Sequence, residues 1–295
     1  MRRHSSRPQR TIRRPVEVVG VGFLTGASVR LRFVPAAPSA GVNFARIDLP
    51  GKPRIAAHVG RVTDTNRRTT LGRAPAQVTL VEHVLAALAG LRIDNCLVEL
   101  DAVEPPGLDG SAIGFVEALL SVGVEAQRAR REVYSVEEAI TVSGGNASLT
   151  LHPPQDPDTP GLKLTYFLDY GPGAPIARQV YTCELTTATF IQQVAAARTF
   201  LLEAEALELR GRGLGLKMTA SDVLVFGRSG LIDNKLRHAD EPARHKILDV
   251  IGDLSLLGVD LCGHVVACRS GHPLNVEMAK SLAEMLAAVA EPAAA

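Results

Sequence analysis

Apolar and polar positions alternate with period two in several short runs and with helical period in longer ones, which predicts a chain mixing strands and helices. Residues 16–19 read as a strand, the Gly20-Val21-Gly22 and Thr25-Gly26 punctuation as a turn, and Val29-Arg30-Leu31-Arg32-Phe33 as a second strand. A polar stretch broken by Pro and Gly continues to about Thr79. Residues 81–91 are compactly apolar and predict a helix, followed by a strand at 96–100 and a helix at 114–122. The second half opens in the same way, with strands at 136–142 and 147–151 around Gly144-Gly145-Asn146. A Pro-rich loop at 153–160 and a strand at 162–168 come next. Residues 189–209 are helical in character, 244–257 form a strong helix, 265–268 a strand and 276–289 a last helix.

The pattern contains an internal echo. Glu82-His83-Val84-Leu85 opens a helix that leads through Gly90-Leu91-Arg92-Ile93-Asp94 into an apolar strand. Arg244-His245-Lys246-Ile247 opens another that leads through Leu257-Gly258-Val259-Asp260 into a second. The expectation is an α+β protein of two domains of similar topology, each a small sheet with helices. Their expected extents are 15–130 and 131–289, between an Arg-rich tail at 1–14 and a short tail at 290–295.

Composition narrows the function classes. Apolar residues at 46% and charged residues at 21% are ordinary for a globular core, and a net charge of +1 gives no global field for nucleic acid or a membrane surface. Basic residues do crowd the start (Arg2, Arg3, Arg7, Arg10, Arg13 and Arg14), and read as a solvated, poorly ordered tail or as a contact for phosphate or acidic lipid. Cys96, Cys183, Cys262 and Cys268 form no C-x-x-C pair and sit in apolar segments, so buried free thiols and a reducing compartment are expected. The basic start runs into Thr11-Ile12-Arg13-Arg14-Pro15 rather than an apolar stretch, and no apolar run approaches about 18 residues. A soluble cytoplasmic protein without a membrane span is expected.

His245 and Asp249, at i and i+4, lie about 40° apart on a helix wheel and can meet at one ion. Imidazole and carboxylate suit zinc, whose catalytic sites commonly use three protein ligands. His83, at the equivalent helix start in the other half, is the candidate third ligand. Its neighbour Glu82 then lies beside the metal as a general base. Asp253 continues the same helix face, and Lys246 could hold an anionic group. His272 sits on a loop after a strand, and Thr199 reads as an ordinary helix residue.

Several stretches together resemble one family. Residues 81–95, Val-Glu-His-Val-Leu-Ala-Ala-Leu-Ala-Gly-Leu-Arg-Ile-Asp-Asn, are similar to the TVEHLLAALAGLGIDN stretch of the UDP-3-O-acyl-N-acetylglucosamine deacetylases of lipid A synthesis. Leu108-Asp109-Gly110-Ser111-Ala112 resembles that family's LDGSA and Ala197-Arg198-Thr199-Phe200 its ARTF. Residues 244–254 resemble its RHKxLDxIGDL, and Ser270-Gly271-His272-Pro273-Leu274-Asn275 its SGHxLN. The matches run in order from about Arg10 to Lys280.

The resemblance implies a β-α-α-β sandwich, with helices between the two sheets and the active site at the domain interface. It implies zinc, with iron(II) an alternative for the same donors, held by His83, His245 and Asp249, and Glu82 as base. His272 would protonate the leaving amine, Asp253 would orient His272, Thr199 would bond the oxyanion and Lys246 would meet nucleotide phosphates. Phe200, Leu201 and Leu202 would line an acyl passage, and the implied substrate is a UDP-linked acylated amino sugar. The chain departs from the family at Leu24, where a His is usual, and carries no cation around Asn146. These departures keep two alternatives in view: a zinc amidase on a different acylated or nucleotide-linked amino sugar, and a non-catalytic binding protein on the same fold.

Overall fold

The computed structural model describes residues 1–156 and 161–290. Part of the expected 153–160 loop, and all but the first residue of the expected 290–295 tail, lie outside them. In chain order the first half contains β1 (Arg2–Ile12), β2 (Val16–Val21), β3 (Ser28–Pro35), β4 (Val42–Arg46), β5 (Arg54–Ala56), β6 (Val62–Asp64), β7 (Thr70–Arg73), β8 (Ala76–Thr79), α1 (Glu82–Gly90), β9 (Cys96–Leu100) and α2 (Ile113–Val122). The long β10 (Val124–Ser135) leads into β11 (Ile140–Gly144), β12 (Ala147–His152), β13 (Leu162–Leu168) and β14 (Gln179–Glu184). The chain continues through α3 (Thr187–Thr189), β15 (Phe200–Leu202), α4 (Glu203–Gly211), β16 (Leu224–Gly227), β17 (Gly230–Leu231), α5 (Glu241–Ser255), β18 (Asp260–Leu261), β19 (Gly263–Cys268) and α6 (His272–Ala290).

The echo in the sequence is an echo in topology. One five-stranded sheet runs β2-β3-β9-β4-β5 and the other β11-β12-β19-β13-β14. In both, a hairpin pairs antiparallel with the central strand, and that strand pairs parallel with the first strand of a second hairpin. A helix precedes each central strand (α1 and α5) and a helix follows it (α2 and α6). In β3 the alternation of Ser28, Arg30 and Arg32 outward with Val29, Leu31 and Phe33 inward fixes which face is buried. α1 and α5 pack against each other between the sheets. α1 is buried nearly all round, as an apolar helix between two layers must be. A single core joins Leu31, Phe33 and Val98 of one sheet, through Leu85, Leu88 and Ile251, to Leu149, Leu164 and Val265 of the other.

The Arg-rich start is a strand rather than a poorly ordered tail, although Arg2, Arg3, Arg10, Arg13 and Arg14 stay exposed. β1 pairs antiparallel along β10, with register shifts at Arg3/Ser5 and Pro8/Arg10, the second placing Pro8 where a missing N–H is tolerated. Its charge is compensated by distant acids. Arg7 Nη1 and Nη2 both donate at 2.8 Å to Asp94, and its Nε donates at 2.6 Å to Asp260. Asp94 and Asp260 end the two echoing turns, so one guanidinium ties the halves together, and Arg131 of β10 lies 3.1 Å from Asp260. The expected division at residue 130 falls inside β10.

Residues 189–209 are not one helix. A single π-helical turn at Phe190–Val194 ends at an extended segment, β15, before α4 begins. Residues 136–139 precede β11 rather than belonging to it, and His272 opens α6 instead of lying in a loop.

Candidate active site

The extended segment before β15 is fixed by a buried ion pair. Arg198 donates from its Nε at 2.8 Å and from its amide at 3.1 Å to Glu241 in the first turn of α5. Glu241 is fully buried, so the bidentate guanidinium is what makes its charge tolerable there. Anchored this way, Ala197 turns its carbonyl to His245, whose Nδ1 donates to it at 3.0 Å. A carbonyl only accepts, so the proton sits on Nδ1 and the Nε2 lone pair is free. Thr199 is held from the other side by its N–H on the Gly110 carbonyl at 2.7 Å. Gly110 has φ +82°, and a Cβ there would meet the Asp222 carbonyl oxygen at 2.4 Å, which accounts for the glycine of the Leu108-Asp109-Gly110-Ser111 stretch.

His83 opens α1 and His245 and Asp249 share one face of α5, so the packing of the two helices brings the three together. Their ligand atoms all lie within 4.8 Å of one another, and all three residues are buried. Asp249 Oδ1 is 3.4 Å from His245 Nε2 and 3.9 Å from His83 Nε2. That Oδ1 is buried without a hydrogen-bond partner among the described residues. Burial, reinforced by the facing His245, pushes the His83 imidazole down to about 3, and burial also lowers His245 against the pull of Asp249. Two neutral imidazoles facing an orphaned carboxylate oxygen suit a divalent metal ion, and these residues fit one. Burial alone would raise the Asp249 carboxyl, but the Lys246 ammonium, with the cationic His272, holds it below the ordinary range.

Glu82 and His272 flank the triad. His272 Nε2 lies 4.0 Å from Glu82 Oε1 and 4.0 Å from Asp249 Oδ2, while its Nδ1 donates to Asp253 Oδ2 at 2.8 Å. Burial opposes its charge, but Asp253 overcomes this and lifts the imidazole to about 9. Burial, with Asp253 and Asp249 adding to it, lifts Glu82 to about 7 although His272 pulls the other way. Asn275 Nδ2 also donates to Asp253 at 2.9 Å, so the Ser270–Asn275 stretch supplies both the imidazole and a second bond to its carboxylate.

These groups open on a cavity of about 420 Å³ whose wall includes Thr199, Phe200 and Leu201. Leu202, half-buried at the end of β15, is not part of that wall. Lys246 donates at 2.9 Å to Asp249 Oδ2 and lies 5.4 Å from the centre of the Phe200 ring. Its ammonium is therefore committed to a triad residue. Two further cations on the cavity wall, Arg67 and Arg269, carried no signal in the sequence. Thr69 is the other residue missed: it is fully buried, with its amide on Glu82 Oε2 at 3.1 Å and its hydroxyl on Asp253 Oδ1 at 2.6 Å. Leu24 is held through its backbone, its N–H on Glu104 at 3.0 Å and its carbonyl on the Gly215 amide.

A carboxyl group, an imidazole and a metal-competent triad converging on one cavity are groups that can activate a water and protonate a leaving group, the equipment of a hydrolase. The sequence matches the model of the LpxC family, UDP-3-O-acyl N-acetylglycosamine deacetylase, over residues 9–284. It is 39% identical over 276 residues to the UDP-3-O-acyl-N-acetylglucosamine deacetylase of Thermosynechococcus vestitus, covering 94% of each chain. It is 37% identical to that of Saccharophagus degradans over 94% of this chain and 90% of the relative, and 36% identical to that of Nostoc over 93% and 98%. The chain belongs to this deacetylase family.

Proposed function

We propose that the protein hydrolyses the N-acetyl group of a UDP-3-O-acyl-N-acetylglucosamine, releasing acetate, as a step of lipid A synthesis. The observation that carries the reading is the orphaned Asp249 Oδ1 facing two neutral imidazoles, with Glu82 and His272 on either side. His83, His245 and Asp249 would hold Zn2+, with Fe2+ compatible with the same donors; the ion would polarise the acetamide carbonyl and acidify water beside it.

The chain's own groups divide the rest of the work. Glu82, as carboxylate, takes the proton of the attacking water. The Thr199 hydroxyl donates to the carbonyl oxygen as it gains negative charge. His272, held cationic by Asp253, gives its Nε2 proton to the sugar nitrogen as the C–N bond breaks, leaving acetate and a free amine. Phe200 and Leu201 offer an apolar path for the 3-O-acyl chain, whereas Leu202 lies off the cavity wall. Arg67 and Arg269, which face Glu205 with Glu208 and Asp169 respectively, and Lys246, already bonded to Asp249, are the cations on the cavity wall available to the diphosphate. No helix among the described residues is long and apolar enough to cross a membrane. The free thiols suit a cytoplasmic setting.

The test is a chromatographic assay of UDP-3-O-acyl-N-acetylglucosamine with the metal-loaded protein, with chelated protein and with Glu82→Ala. The reading expects acetate and the free amine from the first alone. Full activity of Glu82→Ala, or of metal-free protein, overturns the mechanism.

A further inference from the structure

The acid–base groups of the site come from different parts of the chain, and one residue outside all of them touches both arms. Thr69 precedes β7 and is fully buried. Its amide donates to Glu82 Oε2 at 3.1 Å and its carbonyl accepts from the Val81 amide at 3.4 Å, so it is fixed to the first turn of α1. Its hydroxyl donates to Asp253 Oδ1 at 2.6 Å on α5, and the same oxygen lies 3.4 Å from His272 Nδ1. Asp253 is thereby held by three groups: Thr69 on Oδ1, and His272 and Asn275 on Oδ2.

A hydroxyl has one proton, and here it goes to Asp253. The Asp253 plane is thus set by a donor from the first half as well as by its partners in the second. From that plane follows the direction of the His272 ring and of its Nε2, which sits between Glu82 and Asp249. We infer that Thr69 is a positioning residue that joins Glu82 to the Asp253–His272 pair and fixes the distance over which a proton must be taken up and returned. The inference rests on the deacetylation reading above. A buried threonine that only completes the packing ahead of β7 would not distinguish catalysis from stability.

The experiment uses metal-loaded protein and UDP-3-O-acyl-N-acetylglucosamine, and compares Thr69→Val, Thr69→Ser, Asp253→Asn and the Thr69→Val/Asp253→Asn double variant by kcat, KM and metal content. Thr69→Val keeps the amide bond to Glu82 and loses only the hydroxyl. Its kcat should fall about tenfold to a hundredfold, the loss expected for one buried hydrogen bond to a charged group. KM should stay within about twofold, because the lost interaction serves the reacting groups rather than uniform substrate binding. Metal content should not change. Thr69→Ser restores the donor and should return kcat to within about threefold of wild type. In the Asp253→Asn background Thr69→Val should cost less than about threefold, because the hydroxyl acts through that carboxylate. Wild-type kcat in Thr69→Val, an equal loss in both backgrounds, or failure of Ser to rescue overturns the inference. If Thr69→Val does not fold, Thr69→Ser against Thr69→Ala decides it by the same criteria. Wild type inactive on this substrate overturns the functional reading as well; active wild type with an unaffected variant overturns this inference alone.

Discussion

Gly252 of α5 crosses α1 at Glu82 so closely that a Cβ on it would stand 2.2 Å from the Glu82 carbonyl oxygen and 2.9 Å from its carbonyl carbon. The obstacle is backbone, which cannot swing aside as a side chain can. The spacing of His83 from Asp249 is therefore set by a helix crossing that only glycine permits.

Gly252→Ala should separate the helices and cost about 1–3 kcal/mol of stability as an overpacked contact. Because the proposed ligands sit on opposite sides of this crossing, activity should fall further than stability implies, on the order of a hundredfold for a displacement near 1 Å. Thermal melts read the first quantity, and deacetylase rates with metal content read the second. Wild-type rates in a folded Gly252→Ala protein would show that the crossing does not govern the site.

The pH dependence of the proposed reaction follows from two raised groups, Glu82 as its proposed base and His272 as its proposed acid. Glu82, lifted to about 7, serves as base only when deprotonated, so activity should fall as pH drops through that value. His272, lifted to about 9, serves as acid only when protonated, so activity should fall as pH rises through that value. A bell-shaped profile of kcat/KM is expected. Asp253→Asn removes the anion that raises His272 and also helps to raise Glu82, so the alkaline limb should move to lower pH and the acidic limb should move the same way by less, since only His272 also loses a hydrogen bond. An unmoved alkaline limb would remove His272 from the role of acid.

The two-fold architecture was legible in the sequence because each half writes its own local pattern: a glycine turn between alternating strands, then an apolar helix, then a strand. The gathering of His83, His245 and Asp249 was legible in part for the same reason, since α1 and α5 pack on each other, although His83 stands second in α1 and His245 a turn further into α5. What stayed hidden depends on distant partners. Arg2–Ile12 reads as a polar tail until β10 pairs with it and Asp94 and Asp260 take up the charge of Arg7. The segment through Ala197 keeps a helical composition, yet Arg198 is drawn to Glu241, 43 residues on, and the helix gives way. Thr69 finds Glu82, Asp253 and His272 at separations of 13, 184 and 203 residues, which no local pattern can display.

The Arg7 clamp gives a stability prediction with a definite sign. Arg7→Ala leaves Asp94 and Asp260 without their main partner and should cost about 3 kcal/mol, as for a largely buried pair. Burial would raise the Asp260 carboxyl, but Arg7 and Arg131 lower it below its ordinary 3.8. A lowered carboxyl stabilises the fold above the unfolded value, near pH 4, and loses that contribution as pH falls through the lower folded value. The difference in melting temperature between wild type and Asp260→Asn should thus be full at neutral pH and shrink below about pH 4. A constant difference down to pH 2 would assign the loss to packing rather than charge.

Metal binding can be separated from catalysis by choosing which residue to remove. Lys246 leans on Asp249 and Ala197 on His245, so cutting either of those ligands strips a partner from a neighbour. His83 is the proposed ligand whose loss leaves both bonds in place, and His83→Ala should fold while failing to hold the ion. Added zinc stabilises only a native state that binds it, by about 4 kcal/mol at a thousandfold excess over Kd. Chelated wild type should therefore gain several degrees in melting temperature on titration with zinc, and His83→Ala should gain almost none. Glu82→Gln should keep the thermal gain and lose deacetylation, since Glu82 is not one of the three ligands. A full gain in His83→Ala would place the ion elsewhere, and loss of the gain in Glu82→Gln would make that carboxylate a ligand rather than the base.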